Sequence, residues 1–376
     1  MHVLELARWP VGGIRTYFRY VFGDERFRAW HLTFVAPDHN VLPLLEASLP
    51  RDSFNFIVTK DSNLGIFATT ARLLAGRNYS LLHSHGFTAG AIAAPLCRLY
   101  RIPHLMTAHD VFQAGQFAGW RGQIKKKILG RLFRMVDVIH TVTDDGRENL
   151  LEYFPDIDGS RVETVMHGID VDAFTGGDVQ DFRSSVDGLQ ENDYLIGFFG
   201  RFMAQKGFRY LVDAVDTLVN QRTLPRRPVV LTFGDGGFSR EDFSIIEQRG
   251  LDEYFIKLPH TDEMAAAIRG VDVVAMPSLW EACGLLAMEV LVTGTPIIGS
   301  DCIGLREVLQ DSPASVIAPA DAQALADAIE FEMNTARRDE FMEWAPQAAR
   351  RFALDGSVAG LHALYHRMAV TKHDRV

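Results

Sequence analysis

The sequence predicts an α/β protein built as two doubly wound halves, and three observations predict it. Short apolar, β-branched runs alternate with helical segments almost to the end of the chain, the rhythm that parallel sheets with crossover helices require. With 376 residues the chain can bury two separate cores. A polar, turn-rich stretch from Thr175-Gly176-Gly177-Asp178 to Gly188-Leu189-Gln190-Glu191-Asn192-Asp193 falls between two series of strand candidates and reads as a linker.

In the first half, strands are expected near 2–7, 31–36, 54–58, 80–84, 103–108, 136–142 and 162–166. The second series opens at Tyr194-Leu195-Ile196-Gly197-Phe198-Phe199 and continues near 228–233, 254–258, 271–276 and 296–299. The clearest helix is 207–220, where Phe208, Leu211, Val212, Val215, Leu218 and Val219 recur at helical spacing. Residues 285–293 read as a helix after the strand at 271–276, and 357–370 is helical by pattern.

Composition narrows the function classes. A chain that is 47% hydrophobic and 23% charged is that of a globular enzyme, and a net charge of −10 argues against a general nucleic-acid binder. Cys97, Cys283 and Cys302 show no metal-ligand spacing and are expected to be reduced thiols. The start of the chain lacks a basic region followed by a long apolar run, and no stretch reaches the length of a membrane span. A cytoplasmic protein is the expectation.

The most telling segment is Pro277-Ser278-Leu279-Trp280-Glu281-Ala282-Cys283-Gly284-Leu285-Leu286-Ala287-Met288-Glu289, continuing into Gly294-Thr295-Pro296. Glu281 is expected in the loop over the carboxyl end of the sheet, where open α/β sheets bind ligands, and Glu289 two turns into the helix. A carboxylate accepts two hydroxyl hydrogen bonds at once, so such a pair suits the vicinal diols of two sugar rings. A nucleotide-sugar has two. Glutamates near a helix start also complement the macrodipole, so these two residues alone leave a structural reading open.

Gly200-Arg201-Phe202-Met203-Ala204-Gln205-Lys206-Gly207 joins a strand to the best helix. Two fixed cations at a helix N-terminus favour a diphosphate and would stabilise charge growing on a departing phosphate. A solvated loop carrying Arg and Lys is the competing reading. Gly12-Gly13-Ile14-Arg15 follows the first strand, where glycines let backbone N–H groups approach a phosphate or sugar, though a plain turn fits equally. Phe233-Gly234-Asp235-Gly236-Gly237 is a comparable turn.

His83-Ser84-His85-Gly86 and Thr107-Ala108-His109-Asp110 end the fourth and fifth strands, and isolated histidines there are as a rule structural. Asp144-Asp145 is expected to cap a helix beginning near Gly146, not to bind a metal. Ser84 and Ser278 lack a nucleophile-elbow context, and no G-x-G-x-x-G follows the first strand of either half. Arg121, Lys125, Lys126, Lys127, Arg131 and Arg134 share 121–134 with Ile124, Ile128, Leu129, Leu132 and Phe133. That is either a solvated helix face or a surface for anionic lipid.

P-S-x-x-E-x-x-G-L-x-x-x-E followed by G-T-P resembles the signature of the retaining family-4 glycosyltransferases. The G-R-x-x-x-x-K-G run at 200–207, the first-loop G-G, T-x-H-D at 107–110 and H-G-I-D at 167–170 resemble family motifs in the same order. The chain is similar to the members that build bacterial lipopolysaccharide and cell envelope. The resemblance implies the GT-B fold: a Rossmann-like acceptor domain over 1–175, a donor domain over 190–356, and a final helix at 357–376 packing back on the first domain. It implies that Arg201 and Lys206 hold the leaving diphosphate, that Glu281 and His109 meet the donor sugar, and that Glu289 meets the ribose. Gly12, Gly13, Gly200, Gly234, Cys283, Gly284 and Leu285 would line the nucleotide-sugar, with Arg15 adding a contact. His85 and Asp110 would support loop geometry or the acceptor, and His167 takes the place of the usual asparagine as a structural feature. Cys283 stands where most members carry an aromatic residue, which bears on donor identity.

The implied donor is a UDP- or GDP-sugar, with no metal required. The implied acceptor is a hydroxyl of a glycan or lipid-linked glycan, attacked on the same face in envelope polysaccharide biosynthesis, with peripheral contact at the inner membrane face through 121–134. Two other readings stay open: a GT-B epimerase or phosphorylase, and a noncatalytic nucleotide-sugar-binding partner.

Overall fold

The apolar runs of the first half become seven parallel strands. They are β1 (His2–Ala7), β2 (His31–Ala36), β3 (Phe54–Val58), β4 (Leu81–His85), β5 (His104–Ala108), β6 (Val138–Thr141) and β7 (Val162–Thr164), ordered β3-β2-β1-β4-β5-β6-β7. Six more parallel strands form a second sheet: β8 (Tyr194–Phe199), β9 (Pro228–Phe233), β10 (Phe255–Leu258), β11 (Val273–Met276), β12 (Ile297–Ser300) and β13 (Ser315–Ile317), ordered β10-β9-β8-β11-β12-β13. The computed structural model describes residues 1–10, 12–49, 53–76, 79–234 and 236–373. It divides into two compact units, Met1–Gly168 with the segment from Leu354 onward, and Ile169–Ala353.

Both sheets are covered on two faces, which explains why their strands read as apolar runs instead of alternating. In the first unit Tyr17, Phe18, Val21 and Phe22 of helix Gly13–Phe22 pack one face together with Val358, Leu361, Tyr365 and Met368 of helix Leu354–His373. Ile66, Leu73, Leu74, Ala89, Ala93 and Leu96 from two further helices pack the other. In the second unit, helix Phe208–Gln221 buries Phe208, Leu211, Val212, Val215 and Leu218, as its periodicity requires. Helix Leu285–Thr293 is apolar nearly all round and buries Ala287, Met288, Val290, Leu291 and Val292.

Three local features differ from the sequence reading. Ser315–Ile317 pairs with β12 as a strand that three residues between turns could not announce. The helix expected near Gly146 starts at Asp144, and its cap is Thr143, whose Oγ1 accepts from the Gly146 N–H at 3.1 Å. Asp144 and Asp145 occupy the first turn, where their charge complements the macrodipole. The turn-rich stretch after Phe174 lies on the second unit: Phe182 is buried, and Arg269 donates to the Phe174 and Asp178 carbonyls.

Candidate active site

In the second unit, the loops that leave the carboxyl ends of β8 and β11 are joined. The Leu279 N–H donates to the Gln205 carbonyl at 2.7 Å, and Gln205 Nε2 donates to the Trp280 carbonyl at 2.9 Å. Lys206 Nζ, brought by the first loop, donates to Glu281 Oε1 at 2.6 Å, and Ser278 Oγ donates to the same oxygen at 2.7 Å. Both bonds fall on Oε1, and Oε2 has no hydrogen-bond partner among the described residues. Glu281 is 6% exposed, and burying a carboxylate that deeply requires such partners.

Glycine makes this junction possible. A Cβ on Gly207, whose φ is +67°, would lie 1.9 Å from the Pro277 carbonyl oxygen, and one on Gly234, at φ +122°, would lie 2.4 Å from that of Gly200. The loops after β8 and β9 therefore run backbone against backbone, with Gly200 and Gly234 adjacent and Arg201 beside them. Arg201 is exposed and makes no hydrogen bond or ion pair among the described residues. Asp235, in the same turn, lies outside the described residues.

Gly284 caps helix Leu285–Thr293 at φ +60°, and Cys283 beside it is buried. Glu289, on this helix, is half-buried with no cation or donor on its carboxyl among the described residues. Burial alone pushes that carboxyl up to about 7. All three cysteines are buried and form no disulfide among the described residues, and the Cys302 thiol is pushed up to about 12 by burial and by Glu281.

In the first unit Gly12, at φ +58°, precedes helix Gly13–Phe22, and both Gly12 and Gly13 are exposed. His109 follows β5 and is half-buried. Its Nε2 lies 3.1 Å from His85 Nδ1, and its Nδ1 lies 3.3 Å from His167 Nε2. Its ring stacks on both neighbours, with centroids 5.4 Å apart and planes at 27° in each case. His85 continues to Glu5 Oε2 at 2.9 Å, while Glu5 Oε1 lies 2.6 Å from Tyr365 Oη. From Tyr365 the chain of polar groups runs to His83 Nδ1 at 2.7 Å, from His83 Nε2 to Thr107 Oγ1 at 2.6 Å, on to His140 Nδ1 at 2.9 Å, and from His140 Nε2 to the Val165 carbonyl at 2.9 Å. Parallel register sets these groups side by side, Glu5 opposite His83, His85 opposite Thr107 and Thr107 opposite His140.

Burial drives every member of this array toward its neutral form. Glu5 is raised well above the ordinary carboxylate range, and His83, His85 and His109 are lowered well below the ordinary imidazole range by burial and then by one another. Burial holds His140 at about 4, and burial with His140 nearby holds His167 at about 3. Glu5, His83 and His85 also have the mutual spacing of metal ligands, within 4.8 Å. Their facing atoms are engaged in the hydrogen bonds above.

The structure thus joins Lys206 to Glu281 and sets Gly200, Gly234 and Arg201 together in one unit, and it places His109 inside a histidine array in the other. The sequence reading did not find Ser278 as a partner of Glu281, nor Glu5, Thr107, His140 and Tyr365 as partners of the histidines. The available signal was polar residues interrupting otherwise apolar strands, Glu5 in β1 above all.

Known proteins resemble the chain in both halves. Residues 11–173 match the domain family described as Glycosyltransferase Family 4, and residues 193–333 match the one described as Glycosyl transferases group 1. The D-inositol 3-phosphate glycosyltransferase of Corynebacterium jeikeium is 27% identical, over 79% of this chain and 74% of its own, and that of Salinispora arenicola is 28% identical, over 80% and 71%. In fold, Anabaena Alr3699/HepE in complex with UDP-glucose superposes with a TM-score of 0.81 at 18% identity over the whole of both chains. Sucrose-phosphate synthase from Thermosynechococcus elongatus gives 0.80 at 18% identity, covering 99% of this chain and 100% of its own. With one glycosyltransferase domain matched in each half and the two-sheet fold shared throughout, the chain belongs to the family-4 glycosyltransferases of GT-B fold.

Proposed function

We propose that this glycosyltransferase moves a sugar from a nucleotide diphosphate donor to a hydroxyl acceptor with retention of anomeric configuration. The observation that carries the reading is the Lys206–Glu281 pair beside an exposed Arg201, which has no hydrogen bond or ion pair among the described residues, at the carboxyl ends of β8 and β11. Arg201 and Lys206 hold the diphosphate, Glu281 Oε2 and His109 orient the donor sugar, and Glu289 accepts from the ribose hydroxyls. Gly12, Gly13, Gly200, Gly234, Cys283, Gly284 and Leu285 let backbone and small side chains approach the nucleotide-sugar. The bond from the anomeric carbon to the departing phosphate oxygen breaks, the acceptor oxygen bonds that carbon on the same face, and its proton passes to the leaving phosphate. Two cations on that phosphate stabilise charge that is largest in the transition state.

A UDP-sugar is the first donor to test, because a structural neighbour was solved with UDP-glucose. A screen of UDP-, GDP- and ADP-sugars by thermal shift decides it, since a ligand at a hundred times its Kd adds about 2.7 kcal/mol. For the acceptor we read a glycan or lipid-linked glycan of the envelope. A phosphorylated cyclitol is the second reading, supported by the name the relatives carry. Product analysis with each acceptor separates them. Free sugar released without an acceptor product would point instead to an epimerase, and absence of any turnover with bound donor to a noncatalytic partner.

Helix Gly119–Phe133 supports a peripheral membrane location at the cytoplasmic face. Trp120, Ile124 and Ile128 form an exposed stripe at 69%, 49% and 50% exposure, flanked by Arg121, Lys125, Lys127 and Arg131. No helix among the described residues is long and apolar enough to cross a membrane. Changing Lys125, Lys126 and Lys127 to Glu should abolish cosedimentation with anionic vesicles; equal binding by variant and wild type rules this docking out.

A further inference from the structure

With every histidine neutral, the form burial favours, the hydrogen bonds around His109 run in one direction, and that direction assigns a proton to Glu5. A backbone carbonyl only accepts, so His140 Nε2 carries a hydrogen and donates to Val165. Neutral His140 then has a bare Nδ1, which accepts from the Thr107 hydroxyl. The Thr107 oxygen in turn accepts from His83 Nε2–H. A neutral His83 has a bare Nδ1, so Tyr365 donates its hydroxyl hydrogen there. The Tyr365 oxygen, its one hydrogen committed, meets Glu5 Oε1 as an acceptor, and the hydrogen between them belongs to Glu5.

The remaining oxygen of Glu5 is then bare and accepts from His85 Nε2–H, which leaves His85 Nδ1 to accept from His109 Nε2–H. His109 Nδ1 accepts from His167 Nε2–H, and His167 Nδ1 is left as a buried lone pair with no partner among the described residues. The alternative ionic form, a Glu5 carboxylate facing a His83 imidazolium through Tyr365, places two charges where both residues are at most 1% exposed and no water repays their desolvation.

We propose that Glu5 is a protonated carboxylic acid and that it is a positioning residue: with Tyr365 from the C-terminal helix it fixes His85, His109 and His167 as Nε2–H tautomers. The consequence for the site, which rests on the function proposed above, is that His109 presents Nδ1 to the donor sugar as an acceptor. The link there, to His167, is the longest in the chain at 3.3 Å, and a sugar hydroxyl donating to Nδ1 replaces it without reversing any other bond. A tautomer set the other way would present a donor and repel the same hydroxyl hydrogen.

Glutamine has the donor and acceptor pattern of a protonated glutamate, a carbonyl for His85 and an N–H for Tyr365. Glu5→Gln should therefore keep kcat/KM within about twofold, and infrared difference spectra against wild type should show loss of a protonated carboxylic acid band. Histidine nitrogen spectra should show His83, His85, His109, His140 and His167 all neutral and all Nε2–H, in wild type and Glu5→Gln alike. Glu5→Leu should leave His85 and His109 without a single tautomer and lower kcat/KM on the order of ten- to a hundredfold, the range for groups that orient a functional side chain. If Glu5→Leu does not fold, wild type and Glu5→Gln still decide. An ionised carboxylate band, or a Nδ1–H on His109, overturns the proposal. The spectra need no turnover, so failure to transfer sugar with every donor overturns the proposed function and leaves this inference standing.

Discussion

Two regions of one protein, built on sheets of the same topology, handle polarity in opposite ways. The first unit buries Glu5, His83, His85, Thr107 and His140 on adjacent strands, where burial drives the titratable ones toward neutral forms that bond within the array. The second keeps full charges, Lys206 against Glu281 and Arg201 exposed, at loops over the carboxyl ends of its strands. Partners decide which solution is available: Glu281, 6% exposed, has Lys206 to pair with, while the groups between the strands of the first unit have one another. Between strands covered by helices no solvent offsets a charge, so protons redistribute until none is left. At a loop the charges survive and remain free to meet a charged ligand.

The sharpest way to break this contrast is to remove a charge from the second unit. Lys206→Ala should lower kcat on the order of 10²–10³, the range for groups that stabilise a developing anion, and steady-state kinetics check it. An unchanged kcat with a raised KM would make Lys206 a ground-state binder only. Next in size is the junction itself. Gly207→Ala forces a Cβ onto the Pro277 carbonyl at a positive φ, which pushes the two loops apart and separates Lys206 from Glu281. It should destabilise the protein by roughly 3 kcal/mol in denaturant unfolding.

Glu289 sharpens the comparison because its carboxyl, although it lies in the second unit, behaves like that of Glu5 in the first. Its folded-state value, pushed up to about 7, lies above that of the unfolded chain, so its contribution to stability is present in mild acid and lost as the pH rises through about 7. Glu289→Gln cannot ionise. It should melt above the wild type at pH 8 and alongside it near pH 4, below the ordinary carboxylate value, while binding the nucleotide-sugar more weakly. A wild type that melts higher than the variant at pH 8 would show that the charge is already stabilised in the free protein.

Much of the fold was legible because buried parallel strands leave continuous apolar runs and helix Phe208–Gln221 keeps a strict period. β13 was not, since Ser315–Ile317 is too short for any period to register. Lys206 and Glu281 could be nominated by their motifs, but the ion pair between residues 75 apart, and the role of Ser278 in holding it, needed coordinates. The histidine array was legible only as scattered polar residues, because Glu5 and Tyr365 are 360 positions apart and register alone brings the strands' side chains together. Thr143 as cap in place of Asp144 is a shift of one residue, the scale on which helix ends are least written in sequence.

The most direct test of the central claim, that the charged loops of the second unit grip a nucleotide-sugar, is a thermal shift titration of wild type and Lys206→Ala with UDP-glucose, repeated with GDP- and ADP-sugars. A nucleotide-sugar should stabilise the wild type by about 2.7 kcal/mol at a hundred times its Kd and leave the variant nearly unmoved. Equal shifts in both proteins, or no shift with any nucleotide-sugar, would contradict it.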